Sequence, residues 1–258
     1  MHKAVKTAAA GIAAAILSMS AVQAAEPLVE AKSIPGTFSA NVGLFSEYYF
    51  RGISQTDDKP ALQGGMDYSV TLSESTGIGA YLGVWGSNVD FSGTEGSTVH
   101  GATVETDVYG GFTGNIGSSG IGWDVGFIYY AYPGASSSLN YDFLEGKAAL
   151  SYDFGFVSAT ASVNYSDDYF GKSGEAWYPK LAIEVPVGKY LTLSGLIAKQ
   201  YIEKNATFGT PDYVEYGVAA SVNLAGFDVS LTWSDTDMNS SECSDACGMV
   251  ILGVSRSF

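Results

Sequence analysis

From Phe38 to the last residue the chain keeps a period of two, and that period narrows its possible folds more than any other feature. Phe38, Ala40, Val42, Leu44, Tyr48 and Phe50 alternate with Ser39, Asn41, Gly43, Glu47 and Arg51. At the other end Val250, Leu252, Val254 and Phe258 alternate with Gly253, Ser255 and Ser257, and Arg256 is the one charge in the apolar set. Alternation sustained at this length describes strands with one apolar and one polar face.

Twelve such segments follow one another. The first spans residues 38–51 and the second is centred on Leu62–Leu72. The rest are expected at 78–90, 102–116, 121–132, 141–154, 156–168, 176–187, 190–204, 213–224, 227–235 and 249–258. Most reach the ~9–11 residues that a tilted strand needs to cross a hydrocarbon layer. The connections alternate between short glycine-marked turns, such as Gly188-Lys189 and Ala225-Gly226, and longer polar loops, such as 91–101 and 236–248. Short turns on one side and long loops on the other are a property of transmembrane barrels, and a soluble sandwich has no reason to keep it. The expected fold is an all-β, twelve-stranded antiparallel transmembrane β-barrel, with short periplasmic turns and longer external loops.

The first residues point to export. Lys3 and Lys6 precede an apolar run from Ala8 to Leu17, and Val22-Gln23-Ala24 offers small residues for cleavage. Residues 1–24 are read as a signal peptide, 25–36 as a periplasmic lead-in, and 37–258 as the barrel. No later stretch approaches eighteen continuous apolar residues. An integral mature chain must then be a closed barrel, since lipid tolerates only helices and closed sheets. The outer membrane of a bacterium is the expected location, with its lipid as a partner.

Charge narrows the remaining classes. The formal net charge of −15 becomes −17 once Lys3 and Lys6 leave with the signal. Such a chain lacks the basic face that nucleic acid requires. Charged residues make up only 15% of the chain, against ~25% in soluble domains, while glycine and tyrosine are abundant. Aromatics gather at strand ends. Tyr48, Tyr49, Phe50, Tyr129, Tyr130, Tyr132, Trp177, Tyr178, Tyr201 and Trp233 are expected in an external girdle. Phe38, Trp123, Phe154, Phe156, Tyr190, Phe227 and Phe258 are expected in a periplasmic one.

Two resemblances add to this reading. The last ten residues, with Gly253 and the terminal Phe258, resemble the C-terminal signal of bacterial outer-membrane barrels; Arg256 stands where that signal has its first aromatic. This implies that the barrel-assembly machinery reads the strand ending at Phe258. The stretch Phe38 to Tyr68, with Ser46-Glu47-Tyr48-Tyr49-Phe50-Arg51-Gly52-Ile53-Ser54-Gln55-Thr56 at its centre, resembles the opening of the TorF-like porin family. That resemblance implies an outer-membrane barrel and brings no catalytic residues with it.

By alternation, Glu47, Arg51, Asp67, Glu105, Asp107, Asp124, Glu145, Lys147, Lys180, Glu184, Glu215 and Asp228 point inward, nine acids against three bases. Charge on the lipid face costs ~2–4 kcal/mol for Arg or Lys at mid-bilayer, so the interior is where these residues belong. They are candidate pore-lining residues of a porin-like channel for small polar solutes or ions, and the acidic excess favours cations. The alternative is a closed barrel, filled by its own pairs, with a structural or adhesive role through its external loops. Eight-stranded barrels are filled and sixteen-stranded ones open, and twelve lies between.

Chemistry finds little support. His100 is the only histidine after the signal and has no fixed partner for a nucleophile. The acidic pairs Asp57-Asp58, Asp167-Asp168 and Asp235-x-Asp237 read as hydrated rim residues, and no calcium loop is present. No enzyme activity, cofactor or metal is therefore expected. Cys243 and Cys247, the only cysteines, point to a disulfide in the last external loop.

Overall fold

The computed structural model describes residues 35–91, 99–243 and 246–258. The signal peptide, and the lead-in as far as residue 34, lie outside them. The strands in chain order are β1 (Thr37–Phe45), β2 (Tyr49–Phe50), β3 (Ile53–Ser54), β4 (Ala61–Ser73), β5 (Ile78–Asn88), β6 (Val104–Asn115) and β7 (Ile121–Ala131). They continue as β8 (Phe143–Asp153), β9 (Ser158–Ser166), β10 (Ala176–Val187), β11 (Leu191–Ile202), β12 (Tyr213–Leu224), β13 (Phe227–Thr236) and β14 (Met249–Ser257). All but β2 and β3 form one closed antiparallel barrel of twelve strands, each paired with its neighbours in sequence.

Closure falls on the two ends of the chain. β1 pairs with β14 from Asn41 opposite Ser257 to Phe45 opposite Gly253. Beyond that run the backbones of Ala40 and Phe258 exchange two hydrogen bonds, of 3.1 and 2.8 Å. The last strand therefore leaves no open edge, which lipid would not tolerate.

Side chains sort by parity. On β14 the outward Val250, Leu252 and Val254 are exposed, while the inward Met249 and Ile251 are buried. The same pattern exposes Leu62, Met66, Leu82, Phe112, Phe127, Leu150, Ile197, Val218 and Leu231 around the barrel. An apolar belt this extensive could not face water without driving association. Lipid is the solvent that suits it.

Connections follow the expected asymmetry. Those at one end run from two residues (225–226) to five (116–120); those at the other run from nine (167–175) to fifteen (46–60). These are called the turn end and the loop end below. Most strands lie within two residues of their expected bounds, and β10 and β12 match them.

The first strand departs from expectation. It was expected to run on to Arg51 but stops at Phe45. Ser46 still hydrogen-bonds β14, its N–H donating to the Leu252 carbonyl at 2.8 Å and its Oγ accepting the Leu252 N–H at 2.9 Å. The chain then turns into the barrel, where β2 and β3 form a separate hairpin. Alternation persists through that hairpin because it too is extended, so periodicity alone reads straight across the break.

The loop-end girdle needs a matching correction. Tyr129, Trp177, Tyr201 and Trp233 face outward and are exposed, but Tyr48, Tyr49, Tyr130, Tyr132 and Tyr178 are buried inside. Tyr165 and Tyr216 join the outward set, their rings 4.4 Å from Trp177 and 5.6 Å from Trp233. Neighbours such as Tyr129 and Tyr130 must take opposite faces of a strand. A cluster of aromatics at a strand end is therefore split between lipid and lumen.

Because Leu252 sits mid-strand on the outward face, Leu252→Arg should lower barrel stability in lipid vesicles by ~2–4 kcal/mol. Urea unfolding followed by tryptophan fluorescence measures this. Native-like stability would place Leu252 off the lipid face.

Candidate functional site

Within the loop 46–60, residues 47–56 fill the loop end of the barrel, and their sequence explains how. Tyr49-Phe50 and Ile53-Ser54 pair across Arg51-Gly52, where φ is +52° and +79°. Two successive positive φ values make the tight turn that matches the twist of a two-residue hairpin. Gly52 is required twice over, because a Cβ there would also lie 2.6 Å from Thr236 Cγ2. Arg51 has no such freedom, and a left-handed arginine costs roughly 1–2 kcal/mol. Its side-chain contacts offset that strain.

The Arg51 guanidinium is buried in the lumen. Nη2 donates to both Glu145 carboxylate oxygens, at 2.7 and 2.6 Å, and Nη1 donates to Gln200 Oε1 at 2.8 Å. The guanidinium carbon lies 4.1 Å from the Tyr178 ring centroid and 4.7 Å from that of Phe50. Glu145 also accepts hydrogen bonds from Asn164 Nδ2 at 3.0 Å and Tyr130 Oη at 3.3 Å. Charges removed from water need this degree of satisfaction, and breaking such a pair costs about 3–5 kcal/mol because one charge is left uncompensated.

A second tier of contacts seats the rest of the loop. Tyr48 Oη donates to Glu105 Oε1 at 2.7 Å, and the Tyr48 ring packs edge-on against Trp85. The Tyr48 N–H donates to Thr56 Oγ1 at 3.0 Å, and the Gln55 N–H to the Tyr48 carbonyl at 2.8 Å. Neighbouring loops cover the hairpin: the Ser54 N–H donates to the Ala246 carbonyl and the Asp90 N–H to the Gln55 carbonyl. Cys243 and Cys247 are joined, their Cα atoms 6.0 Å apart, and this stapled turn packs with Met238 and Tyr213 against Ile53. Beside the hairpin, Gly253 of β14 leaves room for the Phe45 ring of the adjacent β1, which a Cβ there would overlap.

The twelve inward candidates divide by height. Arg51 and Glu47 sit on the infolded loop, where Glu47 accepts the Asp58 N–H at 3.3 Å. The other ten lie on strands with inward parity. Glu105, Asp107, Glu145 and Glu215 surround the hairpin and are buried. Tyr178 donates to Glu215, and Lys180 shares the field of Glu215 and Glu145 with Arg51 and Lys147. Asp107 Oδ1 has no hydrogen-bond partner among the described residues. Below this level Lys147 pairs with Asp124 at 3.0 Å, Tyr81 Oη donates to Asp124 at 2.9 Å, and Tyr109 Oη donates to Asp67 at 2.5 Å. Glu184 and Asp228 lie nearer the turn end, apart from the hairpin, and Asp228 accepts from Asn223 Nδ2 at 2.9 Å.

The turn-end half of the lumen has a different character. Ser39, Asn41, Ser69, Thr113, Ser162, Thr192, Ser194 and Ser257 line it, small and polar, and all remain partly exposed. The barrel is thus a polar cup at one end and a packed stopper at the other.

Several members of the site escaped a reading that followed charge alone. Gln200, Asn164, Tyr130 and Tyr178 share inward parity with the charged residues, so the same alternation could have found them. Nothing local in the sequence brings Arg51 to Glu145 across 94 positions. Elsewhere, His100 is exposed and ties two loops through Ser136. Among the described residues no cluster of His, Cys, Asp or Glu could hold a metal ion.

Arg51→Met should leave Glu145 unpaired and release the loop while the barrel persists. The expected outcome is protease cleavage within 46–60, with unchanged heat-modifiable migration on gels. Adding Glu145→Gln should recover much of the protection. Equal resistance of Arg51→Met and the native protein would mean that this pair does not hold the loop.

Solved structures share the architecture. The NanC porin aligns with a TM-score of 0.52 at 8% identity, over 86% of this chain and 99% of that one. A membrane protein from a study of in-meso crystallization gives 0.51 at 8% identity, over 86% of this chain and 83% of that one. At such identities the likeness is one of fold. No curated protein sequence matches this one. A family model matches residues 29–256, and the chain belongs to that family, Gcw_chp, bacterial proteins of unknown function.

Proposed function

We propose that the protein is a porin-like channel of the bacterial outer membrane, for small polar solutes or ions, whose external mouth is closed at rest by the loop 46–60. The observation that carries this reading is the division of the lumen. A partly exposed polar cup leads up to a stopper held by hydrogen bonds, ring contacts and one buried ion pair. A barrel whose only task was to be rigid would have no use for the polar cup. In this reading the turn end faces the periplasm.

The resemblance of residues 38–68 to TorF-like porins supports the same assignment, and so does the shared fold of the NanC porin. Solute passes by partitioning, with no bond made or broken. Nine inward acids against three bases favour cations over anions. Arg51 and Lys180 shape the narrow level against Glu47, Glu145 and Glu215, while Lys147 and Glu184, expected at the same constriction, lie below it toward the turn end. Releasing the hairpin would expose Glu105, Asp107 and Glu145 together, so the open state is more acidic than the closed one. The disulfide-stapled loop limits how far the hairpin swings.

Planar-bilayer recording tests the proposal. The native protein should open rarely, and Arg51→Met should open in reproducible steps with cation-selective reversal potentials. Neutralising Lys180 as well should move the selectivity further toward cations. Silence from both Arg51→Met and a loop-deleted variant, at all voltages, would favour the closed barrel with a structural or adhesive role.

A further inference from the structure

Sorted by strand parity, the outward face of the barrel strands carries charge at three positions only: Lys199, Asp235 and Arg256. Lys199 and Asp235 lie toward the loop end. Arg256 is alone at the turn end, one residue inside the end of β14 and opposite Val42 of β1. Its guanidinium carbon lies 5.1 Å from the Phe227 ring centroid and 5.2 Å from that of Phe258. None of the four ion pairs among the described residues includes it.

The two rings orient the cation and leave it a task. Both rings hold the guanidinium by cation–π contact, which leaves its N–H donors free for an acceptor. Outward aromatics at a strand end mark the boundary between hydrocarbon and water, the level to which long cationic side chains reach. The anion found at that level is the phosphodiester of a phospholipid, whose oxygens match the guanidinium fork. Val42 and Val254, both exposed beside Arg256, would support the acyl chains of the same molecule. A free phosphate would gain only a solvent-exposed charge pair, worth little.

We propose that Arg256 binds the phosphodiester of one phospholipid in the leaflet at the turn end, with Phe227 and Phe258 holding the guanidinium toward the headgroup. This rests on the reading of the chain as a membrane barrel and is independent of conduction, so silence in a bilayer recording leaves it untouched. An arginine in place of the aromatic of the C-terminal signal then exchanges a girdle ring for a headgroup contact.

The test is native mass spectrometry of the refolded full chain in a non-ionic detergent with added phosphatidylglycerol. The native protein should retain one lipid that Arg256→Leu binds about tenfold more weakly, the loss of one charge-assisted pair. Millimolar inorganic phosphate should not displace it. Equal retention by Arg256→Leu overturns the proposal, and displacement by inorganic phosphate assigns the site to a free anion and overturns it too. Heat-modifiable migration checks folding. Should Arg256→Leu not fold, Arg256→Gln replaces it, and unchanged retention there is equally fatal.

Discussion

In lipid, an unpaired backbone N–H or C=O has no water to turn to, and this structure is arranged around that fact. A sheet can satisfy it only by closing, and closing requires the first and last strands to find each other. The ladder between β1 and β14, extended by Ala40 and Phe258, is therefore the seam on which the other eleven strand pairings depend. Past Ser46, which still hydrogen-bonds β14, the chain leaves the wall and residues 47–56 enter the interior.

What occupies the interior follows from a second constraint. Charge cannot face lipid, so parity sends it inward, where Asp67 and Asp124 find partners on the wall and Glu145 is paired by the infolded loop. Glu145 projects from β8 and Gln200 from β11, and the infolded Arg51 reaches both. The left-handed backbone at Arg51 and the obligatory glycine beside it are what it takes to deliver a guanidinium to that point. Strain of this kind persists where surrounding contacts over-determine it. The hairpin is held by buried ring contacts as well as by polar ones.

Much of the wall could be read in advance. Alternation placed Asp67, Glu105, Asp107, Asp124, Glu145, Lys147, Lys180, Glu184, Glu215 and Asp228 on one face of their strands, because a strand gives neighbouring side chains no other choice. The two exceptions, Glu47 and Arg51, share that parity but sit on no barrel strand. A hairpin inside the lumen and a strand in the wall have the same local period, and only the pairing partners differ. Tyr48 reads as a girdle residue for the same reason, whereas Tyr130 lies on β7 and proves to be a lumen residue because it must face away from Tyr129.

What the sequence by itself determined is therefore the one-dimensional part: the number of barrel strands, the bounds of all but the first to within two residues, the long-short order of the connections and the alternation of faces along each strand. Those depend on a period of two and on local turn chemistry. The tertiary structure decided where the wall stops and the stopper begins, and which charges meet. Arg51 finds Glu145 and Gln200 across separations of 94 and 149 residues, and the disulfide turn comes to rest on Ile53. Such meetings depend on the curvature of a closed sheet, which brings distant strands to face one another across a lumen, and no local pattern encodes that.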